Sequence, residues 1–234
     1  MFLKCVAKDV IERCGKTIRS VSQRTYGPDV PIPNIKIDGH LEANFPYILS
    51  HLEYIIGELL RNSVQAVVEK HQQRENKDDG KPPPDIEVTI CESAQHVIIR
   101  VSDQGGGIPR DVMPYLWSFR KGPASARLLE NFGKVPKLAA TMQELLADQA
   151  NQDDAISQEA SHAKYSNSLA SLSSRPPDLR LGMGLPLSRV YAEYWAGTLA
   201  LHSLEGYGVD VFLQISKLGN KNEQLTTRAT MDAV

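Results

Sequence analysis

The sequence predicts an α/β sandwich, with a mixed and mainly antiparallel sheet covered on one face by helices and a long lid-like insertion at 120–183. Three observations carry that prediction: a long helical stripe over 46–71, a strand hairpin directly after it, and a helix followed by two strands near the end of the chain. The 234 residues carry 26 Lys and Arg against 28 Asp and Glu, a formal charge of −2, so no electrostatic footprint points to nucleic acid or an anionic membrane. Hydrophobic residues make up 41% and charged residues 23%, an ordinary globular balance that argues against wholesale disorder. No apolar run approaches the roughly 20 residues of a membrane span. Cys5, Cys14 and Cys91 are scattered and odd in number. That argues against a disulfide framework or a zinc site and fits a reducing compartment.

Each element has its own justification. Phe2, Val6, Val10, Ile11 and Ile18 recur at helical spacing among bases and the acids Asp9 and Glu12. Residues 2–24 therefore read as the end of a helix that begins upstream, not as a transit peptide. Gly27-Pro28, Pro31 and Pro33 make an extended connector, and 34–38 alternates as a short strand. From about Pro46 to His71, Ile48, Leu52, Ile55, Ile56, Leu59, Leu60, Val64, Val67 and Val68 form one apolar stripe. The polar stretch 72–81 and Pro82-Pro83-Pro84 end it. Ile86, Val88 and Ile90 then alternate with Glu87, Thr89 and Cys91, while Val97-Ile98-Ile99 and Val101 read as a more central strand; the short link 93–95 makes the pair a hairpin. Residues 120–178 are rich in Ala, Ser, Gln and Asn apart from a helical signal at 135–149, and connections that long are functional lids or disordered inserts. Leu185–Trp195 is a helix, Thr198–Leu204 and Val209–Ile215 are strands joined by Glu205-Gly206-Tyr207-Gly208, and 218–234 reads as a polar tail.

Three short patterns carry chemistry. Glu58 and Asn62 stand four apart on the long helix, so both side chains emerge on one face. A carboxylate and an amide oxygen so placed can serve a hard cation such as Mg2+, although E-x-x-x-N by itself reads first as a polar helix edge. Asp103 closes a strand directly before Gly105-Gly106-Gly107. An Asp there can accept a hydrogen bond from an exocyclic amine such as that of adenine, and glycines let backbone approach a planar ring closely; a plain Gly-rich turn is the competing reading. Gly182 and Gly184 run into a helix with Leu185 and Pro186 in its first turn, where free N–H groups and the helix dipole favour phosphate. Gly-x-Gly before a helix is common, and neither a P-loop nor a G-x-G-x-x-G fingerprint is present.

In this order, E-x-x-x-N, D-x-G-x-G, a long variable segment and G-x-G resemble the boxes of the GHKL ATP-binding superfamily, which includes sensor histidine kinases, gyrase and mismatch-repair ATPases. Within it, Glu58-Leu59-Leu60-Arg61-Asn62-Ser63, Ser102 to Pro109, Gly184 to Tyr194, Gly197-Thr198-Leu199 and Leu204 to Asp210 resemble the mitochondrial protein kinases of the pyruvate and branched-chain 2-oxoacid dehydrogenase complexes. The likeness covers most of 45–118 and 180–217. It implies the two-layer fold of that superfamily, the cofactors ATP and Mg2+, and phosphorylation that inactivates the E1 component, with pyruvate dehydrogenase the first expected target. The branched-chain complex, or a non-catalytic ATP-binding fragment or regulatory subunit, is the alternative. Carried onto this chain, Glu58 would be the general base, Asn62 the Mg2+ ligand and Asp103 the adenine acceptor. Gly105 and Gly107 would line the base, and Gly182, Gly184 and Leu185 would contact the phosphates. The resemblance also implies a mitochondrial matrix location, contact with a lipoyl-bearing E2 and a homodimer. Residues 1–26 would be the last helix of a bundle, 27–217 the nucleotide domain and 218–234 a tail.

Four positions depart from the family pattern. Gln65 replaces an Arg three residues after Asn62, Tyr54 stands where pyruvate-type members have His, Arg180 takes the first lid glycine and Val209 replaces a Thr. Of the remaining polar groups, His51 reads as a polar-face residue, Arg189 as a surface or capping contact, and Lys121 as a solvated charge.

Overall fold

Alternating β-branched residues build the sheet, and its register decides which face is buried. The computed structural model describes residues 3–75, 82–119 and 180–217 with the isolated positions 126, 128 and 131. Most of the expected lid, the helix expected over 135–149, Lys121 and the tail at 218–234 lie outside the described residues. In chain order the elements are β1 (Leu3–Val6), α1 (Ala7–Tyr26), β2 (Ile35–Gly39), β3 (Asn44–Tyr47), α2 (Leu49–Glu75), β4 (Ile86–Glu92) and β5 (His96–Asp103). A 3-10 turn at Met113–Tyr115, α3 (Gly184–Tyr194), β6 (Thr198–Leu204) and β7 (Gly208–Ser216) follow.

Five strands form one sheet in the order β2-β4-β5-β7-β6, parallel between β2 and β4 and antiparallel elsewhere. The mixed, mainly antiparallel sheet of the sequence reading is therefore present, and β5 is its middle strand. The pairing Val88↔Val101 and Ile99↔Leu213 brings Val88, Val101, Ile99, Leu213 and Val211 onto one face, where all are buried against the helices. The α2 stripe closes that core with Leu52, Ile55, Ile56, Leu59, Leu60, Val64, Val67 and Val68, each at 2% exposure or less. Each such side chain contributes about 1.5–3 kcal/mol on leaving water. No described helix is long and apolar enough to cross a membrane.

The amino-terminal end differs from the expected single helix over 2–24. Leu3–Val6 is a strand that pairs antiparallel with β3, Cys5 opposite Phe45, and the helix begins only at Ala7. β3 alternates, with Phe45 and Tyr47 buried and Pro46 exposed, and opposite it Cys5 is buried beside exposed Lys4, a pairing that the adjoining helical pattern hides. No side chain caps α1; the Ala7 N–H donates to the Ala43 carbonyl instead. β3 likewise takes Pro46, expected in the long helix, and α2 starts at Leu49. β3 is fastened to α3 by the Tyr47 hydroxyl donating to Tyr191 O (3.0 Å) and the Trp195 indole donating to Pro46 O (3.1 Å).

Candidate functional site

The side chains at 58, 62, 66 and 70 lie four apart on α2 and so form one row, each step rising about 6 Å along the axis. Each of three predicted pieces meets this stretch of helix. At the first turn, Gly184 opens α3 directly over Glu58: a Cβ on Gly184 would stand 2.2 Å from Glu58 Oε2. Two turns on, a Cβ on Gly105 would stand 2.4 Å from the Ala66 Cβ and 2.9 Å from its carbonyl carbon. Between them, Ser63 Oγ donates to Asp103 Oδ2 at 2.9 Å. The structure therefore brings Glu58, Asn62, Asp103, Gly105, Gly184 and Leu185 beside one helix. Gly182 leads into α3 with φ +65°, and Gly107 (φ +75°) packs on the Leu204 carbonyl at the far rim. Gly105 itself does not have positive φ; its missing side chain is required by the approach of α2.

Asp103 is 6% exposed. Burial pushes its carboxyl above the ordinary carboxylate range, opposed by hydrogen bonds from the Gly105 N–H, the Ser63 hydroxyl and the Val209 N–H, while neighbouring Asp210 adds to the rise. Each carboxylate oxygen has spare lone pairs beyond these donors, so the group can still accept a hydrogen bond from an amine.

Glu58 is 0% exposed and Arg61 2%, and Arg61 Nη1 donates to Glu58 Oε1 at 2.7 Å. A buried carboxylate needs such a partner, because an uncompensated one costs several kcal/mol (about 3–5 when a buried pair is broken). Asn62, one turn on, is exposed. The two residues thus share a face but not a state: Asn62 is open to a ligand and Glu58 is covered by Gly184. Among the described residues no group of three or more His, Cys, Asp or Glu could hold a metal. A hard cation here would take the Asn62 amide oxygen as its protein ligand and complete its shell from phosphate and water, a donor set suited to Mg2+.

Two of the departures from the expected pattern meet at one carboxylate. Gln65 Nε2 donates to Glu69 Oε1 (2.8 Å), and Arg180 Nη2 donates to both Glu69 oxygens (3.0 and 2.8 Å). The guanidinium absent at 65 thus returns to that face of α2 from the segment entering α3. This pair is exposed on both sides and contributes under about 1 kcal/mol. Tyr54 is buried and packs edge-on against Tyr191. His51 is not a simple polar-face residue: it stacks on Tyr191 at 4.2 Å, and burial lowers its pKa. Arg189 pairs with Glu193 (2.7 Å) and lies over Trp117, the surface contact expected of it.

Four residues that the sequence reading did not single out shape the site. Arg61, Glu69 and Lys70 carried a usable signal, charged residues at helical spacing from Glu58, Gln65 and Ala66; Ser63 closes the motif that begins at Glu58, but spacing alone gave its hydroxyl no role.

Similarity to known proteins follows the same stretch of chain. The sequence profile of the family described as histidine kinase-, DNA gyrase B-, and HSP90-like ATPase matches residues 48–218, from the start of α2 past the end of β7. The chain is 32% identical to pyruvate dehydrogenase (acetyl-transferring) kinase 2, mitochondrial, of Saccharomyces cerevisiae, over 96% of this chain and 50% of that protein. It is 31% identical to the mitochondrial pyruvate dehydrogenase kinase of Arabidopsis thaliana, over 93% of this chain and 48% of that one. With the human isozyme 4 the identity is 29%, over 75% and 31% respectively. The chain therefore spans half the length of these relatives or less.

Proposed function

The chain belongs to the histidine kinase-, DNA gyrase B-, and HSP90-like ATPase family, and from that premise we propose that it binds Mg2+-ATP along α2 and phosphorylates a serine of the E1 component of the pyruvate dehydrogenase complex in the mitochondrial matrix, inactivating it. The observation that carries the reading is the shared helix face, with Gly184 against Glu58, Ser63 bonded to Asp103 and Gly105 against Ala66. On this reading Asp103 accepts the adenine amine, Gly105 and Gly107 flank the ring, and the N–H groups at Gly182, Gly184 and Leu185 face the phosphates. The Asn62 amide would hold Mg2+, which supplies charge neutralisation for the phosphates.

Glu58 Oε2 sits against the first residue of α3, beside the place where the terminal phosphate would lie. The serine hydroxyl gives its proton to Glu58 while its oxygen bonds to the γ-phosphorus. The bond from phosphorus to the bridging oxygen breaks, and ADP leaves with that electron pair. The names of the relatives, mitochondrial kinases of pyruvate dehydrogenase, support this target and location over the branched-chain complex. A non-catalytic nucleotide module is the second reading, favoured by the burial of Glu58 in its pair with Arg61.

Calorimetry with Mg2+-ATP, using Asp103→Ala and Asn62→Ala as controls, tests the pocket; an affinity unchanged in Asp103→Ala removes the adenine assignment. Transfer is read as phosphoserine on purified E1. Glu58→Gln should abolish it, and persistent labelling refutes the base role.

A further inference from the structure

The fourth residue of the α2 row has a use that the nucleotide chemistry does not assign. Lys70 Nζ donates to three backbone carbonyls: Gln104 O at 3.0 Å, Gly206 O at 3.2 Å and Tyr207 O at 3.0 Å. The first lies in the loop between Asp103 and Gly105, and the other two lie in the turn between β6 and β7. The two loops are also joined directly, by the Gly106 N–H to Tyr207 O (3.0 Å) and the Gly206 N–H to Gly106 O (2.7 Å). Gly208 is pressed so close that a Cβ there would stand 1.9 Å from the Asp103 carbonyl oxygen. The Lys70 stem runs along Gly106, its Cδ 3.4 Å from where a Cβ would be. Three carbonyl oxygens converging on one point repel each other unless a cation sits between them. A compact ammonium with three donors fits such a cage, whereas the flat fork of an Arg does not.

We propose that Lys70 is the positioning residue of the base-binding loop, its ammonium acting as the built-in cation of a three-carbonyl cage that fixes Asp103 and Gly105 relative to α2. The role in binding rests on the nucleotide reading above; the cage itself does not. A side chain that only packs is not replaced by a diffusible ion, but a caged cation is. In Lys70→Met, which keeps the apolar stem and removes the charge, adenosine and Mg2+-ATP should both bind more weakly by a similar factor, about tenfold for loss of charge-assisted hydrogen bonds. Ammonium chloride should restore most of that loss. Tetramethylammonium chloride at the same ionic strength should not, because its methyl groups cannot donate to the carbonyls. Any kinase assay should show the change in KM for ATP and not in kcat. Amide exchange at Gly106 and Gly206 should speed up in the variant and slow again with ammonium alone.

Equal adenosine affinity in wild type and variant, or a loss that neither salt or both salts recover, overturns the positioning role. Unchanged exchange at Gly106 and Gly206 overturns the cage. Wild-type protein that fails to bind adenosine, while its Lys70→Met variant shows ammonium-dependent exchange, overturns the nucleotide reading and upholds the cage.

Discussion

Asp103 shows how a residue can weaken a fold and still be the one its proposed function needs. Burial holds its carboxyl above the ordinary range, so the folded chain binds that proton more tightly than the unfolded chain does. The sign follows from linkage. The stability that this group contributes is fully present below the ordinary carboxylate pKa, and it is lost as the pH rises through the raised value. Asp103→Asn keeps the shape, and its amide can still meet Gly105 N–H and Ser63 Oγ, which lie at 2.9 Å from the two carboxylate oxygens. The variant should therefore melt at the wild-type temperature or higher near neutral pH, with the difference shrinking on acidification. Its Mg2+-ATP affinity should fall about 10- to 150-fold, the worth of a hydrogen bond to a charged acceptor. Wild-type affinity should itself decline as acid protonates Asp103, beginning above the usual carboxylate range. Thermal melts and calorimetry across pH check both, and a variant that loses stability along with affinity would show that the carboxylate is structural.

At the scale of elements, α2 is the part against which the others are set, and its glycine neighbours divide by what they touch. A Cβ on Gly105 meets Ala66 and Val67 backbone at 2.9 and 3.0 Å, atoms that cannot yield. For a Cβ on Gly184 the nearest atoms belong to the Glu58 side chain, its Oε2 at 2.2 Å and Cδ at 3.1 Å. Gly105→Ala should therefore destabilise the fold by about 1–3 kcal/mol through overpacking. Gly184→Ala should push the buried Glu58 carboxylate off its partner Arg61, at a cost of up to about 3–5 kcal/mol, and abolish phosphoryl transfer. Urea titration beside the E1 phosphorylation assay checks both, and unchanged stability with transfer retained in Gly184→Ala would mean that Glu58 accommodates the added methyl without leaving Arg61. The same helix shows what was legible beforehand. Its stripe from Leu52 to Val68, the hairpin of β4 and β5 and the E-x-x-x-N row could be read because periodicity and spacing are local. β1 and β3 could not, since four residues beside a strong helical pattern, and a strand containing Pro46, take their conformation from pairing with each other. The meeting of Gln65 and Arg180 at Glu69 was likewise hidden, because 111 residues separate Arg180 from Glu69 and only the fold brings them together.

On the scale of the whole molecule, the question is whether α1 and the proposed nucleotide site are one cooperative unit. Ala7, Val10, Ile11, Cys14 and Ile18 of α1 belong to the same buried cluster as α2 and the central strands, and Cys14 Sγ lies 3.6 Å from the Glu53 carbonyl on α2. Burial raises the pKa of the Cys14 thiol to about 12, so it should resist alkylation until that contact opens. β1 extends the joint, pairing with β3, which is bonded in turn to α3 beside Glu58. A ligand held between α2 and α3 is then coupled to α1 through two packed routes and not through a linker. Saturating Mg2+-ATP at about 100 times its Kd adds about 2.7 kcal/mol to the native state. If unfolding is a single event, that gain must reach α1 in full. Alkylation of Cys14 should slow by about 100-fold on adding nucleotide, in step with exchange at β5 amides, while exposed Cys91 reacts at an unchanged rate as the internal control. Cys14 alkylation indifferent to nucleotide, with β5 protected, would mean that α1 opens by itself and that the shared core does not make the two ends one unit.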